Sequence, residues 1–293
     1  MRLLRRSGEL VVRAPAKVNL FLEILRKRPD GYHEIATLMV AIGLYDTLRF
    51  GDDDELRLDC GQSGLSTGAG NLIVKAARLL HERTGTSRGA AIRLTKRIPM
   101  MAGLAGGSAD AAATLIGLNE LWGLGLAAPE LATIGAEIGS DIAFFFDLPA
   151  AWCTGRGEHV QVVPMSRPID LVLICPPFGC GTADVYRRVQ IPAVSRDGEA
   201  MLRAVELGDP ERIAAELHNR LQPAAELVAP ELAGLLERLS ARRHASLMTG
   251  SGSAFFAICR DRRDARNLSR QLRDDAVFRD CKIFVVHTLA GPS

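Results

Sequence analysis

The chain has 293 residues, 47% hydrophobic and 24% charged, with 36 basic against 34 acidic residues and a formal net charge of +2. That length suits one large α/β domain or two smaller ones, of which two are expected, and so balanced a charge supplies no sustained field for nucleic acid. No apolar run approaches the roughly 20 residues needed to cross a bilayer and no secretory segment follows Met1. Cys60, Cys153, Cys175, Cys180, Cys259 and Cys281 form no Cys-x-x-Cys pair and read as buried free thiols. The expectation is a protein of the reducing cytoplasm with small-molecule partners, no nucleic acid and no membrane, with monomer and homodimer both open.

In chain order, the basic start Met1 to Arg6 reads as a ragged terminus. Alternating or β-branched runs predict strands at Leu10 to Arg13, Val18 to Leu25, Ile35 to Ile42, Thr47 to Phe50 and Leu56 to Asp59. Asn71 to Arg83 predicts a helix, capped by Asn71, striped by Ile73, Ala76, Ala77 and Leu80, and closed by Gly85. A strand, Ala91 to Thr95, leads to Pro99. Ala109 to Leu121 predicts a helix ended by Gly123 and Gly125, and Pro129 to Ile138 another with proline in its first turn. Arg167 to Asp170 marks a boundary, giving domains 1–166 and 167–293. The second holds strands at Leu171 to Cys175, Ser246 to Met248, Ala254 to Cys259 and Ile283 to Thr288, several helices after the first strand, and a helix from Arg263 to Leu272.

The segment Pro99-Met100-Met101-Ala102-Gly103-Leu104-Ala105-Gly106-Gly107-Ser108-Ala109 joins a strand to a helix. Such a turn presents backbone N–H groups at a helix N-terminus, where anions bind. Its glycines permit close approach and positive φ, Ser108 offers a hydroxyl to phosphate or metal, and Asp110 in the first turn favours the dipole. The same residues also suit a tight connection with Ser108 as an ordinary N-cap. No Gly-Lys-Ser/Thr follows, and no Gly-x-Gly-x-x-Gly follows a first strand, which removes the Walker A loop and argues against a dinucleotide fold.

Three segments taken together, Pro15-Ala16-Lys17-Val18-Asn19, Pro99 to Asp110 and Thr249-Gly250-Ser251-Gly252-Ser253, resemble the GHMP kinases in order and spacing. Arg28-Pro29-Asp30-Gly31-Tyr32-His33 and Ile138-Gly139-Ser140-Asp141 narrow the likeness to the branch whose acceptor is 4-diphosphocytidyl-2-C-methyl-D-erythritol, of the non-mevalonate isoprenoid pathway. The resemblance implies an α/β (α+β) fold of two domains, the first like ribosomal protein S5 and the second ferredoxin-like. It also implies phosphoryl transfer from ATP, with Mg²⁺, to the acceptor's 2-hydroxyl. Other GHMP kinases of small alcohols, such as homoserine or mevalonate, and a non-catalytic nucleotide-binding module are the competing readings.

By matching position, the resemblance makes Asp141 the catalytic aspartate and Lys17 the lysine that keeps it ionised and offsets phosphoryl charge. It has Tyr32 stack on cytosine, His33 bond the base edge, Tyr186 supply a second aromatic, and Asn19 and Thr182 meet the acceptor. Asn71 and Lys96 fall on the adenine side, and Gly250, Ser251 and Gly252 form a third motif close to the phosphate loop. Each has a plainer reading. Asp141 and Asn71 are also caps, Lys17 and Lys96 solvated strand ends, Asn19 a strand-edge residue, Tyr186 a packing residue and the third motif a glycine hairpin. Ala102 and Ala105 stand where many relatives have glycine, and no carboxylate ligand for magnesium is identified, so the metal site is unassigned.

Overall fold

The computed structural model describes residues 1–6, 9–61 and 64–290. The chain divides into two compact units that interleave in sequence: Met1–Ala16, Leu44–Ile98 and Ala105–Asp147 in the first, Lys17–Gly43, Pro99–Leu104 and Leu148–Ser293 in the second. Two 19-residue strands, β2 (Glu9–Lys27) and β3 (His33–Gly51), each contribute residues to both units.

The first unit opens with β1 (Arg2–Arg6), antiparallel to the start of β2 with Arg2 opposite Arg13. The expected ragged terminus is therefore a strand, because its backbone completes the ladder of Glu9 to Arg13. Pro15, which has no N–H to give, stands just beyond that ladder. The end of β3 alternates strictly, with Leu44, Leu48 and Phe50 buried, and Asp46 is buried in the same register. β5 (Ala90–Thr95) pairs antiparallel with this stretch and parallel with β4 (Leu56–Cys60). α1 (Leu72–Thr84), α2 (Gly106–Trp122) and α3 (Ala128–Ile138) follow the expected positions, and Ser140–Phe146 forms a 3₁₀ turn. In α2, a Cβ at Gly117 would stand 2.4 Å from the ring of Phe50, so glycine there sets how closely the helix packs.

In the second unit, β6 (Ala150–Gly155) pairs with Ile35–Val40 of β3 and with β7 (His159–Val162). The short alanine-rich run of β6 gave no alternation by which to expect it. β8 (Asp170–Cys175) is followed by α4 (Thr182–Arg188), α5 (Glu199–Leu207), α6 (Pro210–Glu216), the two-residue β9 (His218–Asn219), α7 (Gln222–Val228) and α8 (Glu231–Ser240). Then come β10 (Ser246–Met248), β11 (Phe255–Cys259), α9 (Arg262–Asp274) and β12 (Lys282–His287), giving an antiparallel sheet in the order β10-β11-β8-β12. α9 buries Ala265, Leu268 and Leu272, a helical stripe packed in one core with Val172, Ile174, Phe255 and Ala257. All six cysteines are free, four of them buried. Among the described residues no helix is long and apolar enough to cross a membrane.

Candidate active site

The glycine-rich turn enters α2 through a sequence of left-handed residues: Met101 at φ 54°, Gly103 at φ 73° and Ala105 at φ 51°. Ala105, not Ser108, is the N-cap, and it makes no side-chain capping bond. A helix leaves its first N–H groups without intrahelical partners, so an N-terminus lacking a side-chain cap directs the amides of Gly106, Gly107 and Ser108 outward as anion donors. Gly107 is exposed and Ser108 half-buried in the third helical position.

Asp110, expected to favour the dipole, is instead buried below that N-terminus. Its Oδ2 accepts from Lys96 Nζ at 2.6 Å, and the same ammonium donates to Asp46 Oδ2 at 2.5 Å. Asp46 Oδ1 accepts from the amides of Arg97 and Ile98. One buried cation thus faces two carboxyls. Burial pushes Asp110 up to about 8 despite the Lys96 charge, so Asp110 holds its proton at neutral pH. Lys96 is accordingly no solvated strand end. A Cβ at Gly106 would stand 3.0 Å from Lys96 Nζ, which seats the cluster directly against the helix start. Asp46 was missed from sequence, although its inward place in an alternating strand was a readable signal. Asn71 caps α1 through Oδ1 to the Ile73 amide and donates to Ser66 O, as the capping reading expected.

In the second unit three separated motifs converge. Lys17 Nζ donates to Asn19 Oδ1 at 2.7 Å and to Gly103 O at 2.8 Å, and the Lys17 amide donates to Leu104 O. Asn19 Oδ1 also accepts from Thr249 Oγ1 at 3.1 Å and from the Gly250 amide at 3.0 Å, while Asn19 Nδ2 donates to Thr37 Oγ1. Both Lys17 and Asn19 are buried, which excludes a solvated lysine and a strand-edge asparagine. The third motif is no free hairpin either: Gly250 and Gly252 have φ of 57° and 87°, and Ser251 Oγ shares a hydrogen bond of 2.9 Å with Thr182 Oγ1 at the start of α4.

The Pro29-Asp30-Gly31 turn between β2 and β3 is held by Gly31 at φ 87° and by the Tyr32 amide donating to Asp30 Oδ1. Tyr32 is 56% exposed, and the Arg156 guanidinium lies 5.0 Å from its ring centroid. His33 lies with its ring 5.2 Å from that of Tyr186. Burial and then the Lys27 charge lower the His33 pKa below its ordinary value, which leaves a neutral imidazole at pH 7. Nothing in the sequence singled out Arg156. Asp141 belongs to the first unit, half-buried in the first turn of the 3₁₀ segment, where Gly139 takes the capping position.

A ring nitrogen of His244, Cys259 Sγ and an Asp264 carboxylate oxygen also lie within 4.8 Å of one another. Asp264 already accepts from the amide and guanidinium of Arg260, and burial with nearby carboxylates pushes the Cys259 thiol up to about 12. This is a salt-bridged structural cluster around a neutral thiol.

Residues 71–155 match the family described as GHMP kinases N terminal domain, and residues 201–277 match GHMP kinases C terminal. A 4-diphosphocytidyl-2-C-methyl-D-erythritol kinase of Geobacillus kaustophilus is 43% identical over 254 residues, 85% of this chain and 88% of that one. A crystal structure of a 4-(cytidine 5'-diphospho)-2C-methyl-D-erythritol kinase superposes with a TM-score of 0.79 at 32% identity, covering 96% of this chain and 100% of that one. A homoserine kinase from Cytophaga hutchinsonii has the same fold, with a TM-score of 0.76 over 99% of this chain and 97% of its own, but only 16% identity. Fold alone therefore leaves the acceptor open, whereas identity over most of the chain does not leave the family open. The chain belongs to the GHMP kinases, in the 4-diphosphocytidyl-2-C-methyl-D-erythritol kinase family.

Proposed function

We propose that this kinase transfers the γ-phosphoryl group of ATP to the 2-hydroxyl of 4-diphosphocytidyl-2-C-methyl-D-erythritol, as a cytoplasmic step in the non-mevalonate supply of isoprenoid precursors. The observation that carries the acceptor is the aromatic arrangement beside Gly31: an exposed Tyr32, and a neutral His33 against Tyr186. A cytosine ring takes stacking on its face, and its edge offers both a donor and acceptors, which a neutral imidazole matches with one nitrogen of each kind. Homoserine and mevalonate present neither a ring nor such an edge.

In this reading Pro99 to Ala109 hold the nucleotide, with the amides of Gly106, Gly107 and Ser108 on its phosphates. Gly250, Ser251 and Gly252 serve the nucleotide as the third motif of this reading. Asn71 and Lys96 form the adenine side, and since their polar atoms are bonded within the protein, they act there as walls. Asp141 accepts the proton of the 2-hydroxyl, and such positioned transfer contributes roughly 10²- to 10⁴-fold. Lys17, fixed by Asn19 and Gly103 O, offsets charge developing on the transferred group. Thr182 and Asn19 shape the acceptor side. Mg²⁺, when bound with the nucleotide, would supply neutralisation of phosphate charge. Asp110 faces Lys96 in the buried cluster, and no carboxylate of this chain is assigned to the ion. The linear domains 1–166 and 167–293 are part of the same proposal.

The test is ATP turnover with a panel of alcohols. The cytidylyl acceptor is expected to be phosphorylated at least 100-fold more efficiently than homoserine or mevalonate, as a site built around a polar partner discriminates by roughly 10⁴ or more. Preference for either small alcohol would refute the acceptor assignment. With Asp141→Asn, turnover is expected to fall while the fold, followed by circular dichroism, is retained.

A further inference from the structure

β9 is only two residues long, pairing in parallel with β2 so that His218 stands opposite Phe21 and Asn219 opposite Leu22. Successive side chains of a strand point to opposite faces, so His218 and Arg220 reach one way and Asn219 the other. On the first face lies Glu23, a fully buried carboxylate. It accepts from Arg220 Nε and Nη2 at 2.8 Å each, from His218 Nε2 at 3.2 Å, and from the amides of Arg196 and Ile24. Burial would raise its pKa, but the Arg220 guanidinium and the two amides hold it down to about 2. The residues on either side of Asn219 are thereby clamped to one anion.

On the opposite face Asn219 Nδ2 donates to Met248 O at the end of β10, at 2.7 Å, and to Gly250 O in the third motif, at 2.9 Å, while its Oδ1 accepts from the Leu221 amide at 3.0 Å. The carboxamide is buried, so each of these bonds is costly to lose. Gly250 is thus tied at both ends, its N–H to Asn19 Oδ1 and its C=O to Asn219 Nδ2. The room is small: a Cβ on Gly250 would stand 2.9 Å from Gly103 O and 3.2 Å from Lys17 Nζ. Asn19 Oδ1 is the acceptor shared by the Gly250 amide and the Lys17 ammonium, so a shift of this peptide reaches Lys17 through one atom.

We propose that Asn219 is a positioning residue for phosphoryl transfer. It sets the Gly250 peptide, and through Asn19 the ammonium of Lys17, without touching either substrate. The inference rests on the reading that Lys17 acts on the transferred phosphoryl group. Asp at this position would keep the acceptor for Leu221 but turn an oxygen toward two carbonyls, and Ala would remove both donors.

The experiment compares kcat and KM of wild type with Asn219→Asp, Asn219→Ala and Asn219→Ser, each measured below its melting temperature. A control, Leu268→Ala, opens a cavity in the helical core of the second unit. With Asn219→Asp and Asn219→Ala, kcat is expected to fall on the order of 10- to 100-fold, the scale of a small misplacement at a reacting centre. KM for the acceptor should move less than about 3-fold, and Asn219→Ser, which keeps a shorter donor, should lie in between. Leu268→Ala should lose thermal stability and keep kcat. A kcat within about 3-fold of wild type for folded Asn219→Ala would overturn the proposal. If that variant does not fold, an unchanged kcat in Asn219→Ser overturns it equally. Should wild type reject the cytidylyl acceptor, the acceptor assignment fails, and kcat is read on the alcohol that wild type does phosphorylate, which judges Asn219 separately.

Discussion

A Cβ on Gly103 would stand 2.1 Å from the carbonyl oxygen of Thr249, so the glycine-rich turn and the third motif meet backbone to backbone. Gly103 also has φ 73°, a region that costs an L-residue roughly 1–2 kcal/mol before any clash is counted. Gly103→Ala is therefore expected to lose at least about 2 kcal/mol in urea denaturation and to lower turnover by ~100-fold or more. Wild-type stability in this variant would show that the two turns separate freely.

Ala105 presents the opposite case. It adopts φ 51° at the start of α2 although it carries a Cβ. Ala105→Gly removes roughly 1–2 kcal/mol of left-handed cost and adds roughly 0.5–1 kcal/mol of unfolded-chain entropy, for a net gain of about 0.5 kcal/mol. The denaturation midpoint should rise with the slope unchanged, and KM for ATP should stay within about 2-fold.

The Asp110 proton gives a pH signature. A folded pKa raised from 3.8 to about 8 means that the folded state binds this proton more tightly. Its stabilising contribution is complete below about 4 and declines as pH rises toward about 8. Asp110→Asn mimics the protonated form, so its stability relative to wild type should increase between pH 5 and pH 8.5. Urea midpoints at the two pH values check this. A relative loss at high pH would mean that Asp110 is ionised against Lys96.

Tyr32 is exposed and presents its ring to solvent and to Arg156, so its removal should cost little stability. Tyr32→Ala should stay within about 0.5 kcal/mol of wild type, as surface substitutions do. It should raise KM for the cytidylyl acceptor by roughly 5- to 100-fold, corresponding to loss of a base–aromatic stack worth about 1–3 kcal/mol. KM for ATP should not change. Equal effects on both substrates would remove Tyr32 from the acceptor side.

Much of the molecule was legible in the chain because its signals are local. The caps and stripe of α1, the alanine-rich α2 and the alternation at the end of β3 follow from residues within a few positions of one another. Two pairs of expected strands are each a single strand: Leu10 to Arg13 and Val18 to Leu25 run on as β2, and Ile35 to Ile42 and Thr47 to Phe50 as β3. Pro15 stands where the β1 ladder asks for no donor, and Gly43 leaves room for the His287 ring, 3.3 Å from where its Cβ would be. Arg2 to Arg6 look unstructured until a partner strand is present.

Lys17, Tyr32, His33 and Asp141 were singled out through the resemblance that their motifs carry, and the glycine-rich turn through its own residues between a strand and a helix. Their bonding was decided only by tertiary structure. Ser108 lost the cap to Ala105, Asp110 turned from the helix dipole to Lys96, and Asn19 spent its carbonyl on Lys17, Thr249 and Gly250. Asp46, Arg156 and Asn219 carried no motif. Each matters through a partner 50 residues away from Asp46, 124 from Arg156 and 29 or 31 from Asn219. A carboxylate, a guanidinium or an amide takes its role from whatever charge or carbonyl the fold sets within about 3 Å to 5 Å of it, and that distance is set by packing, which no local run of residues encodes.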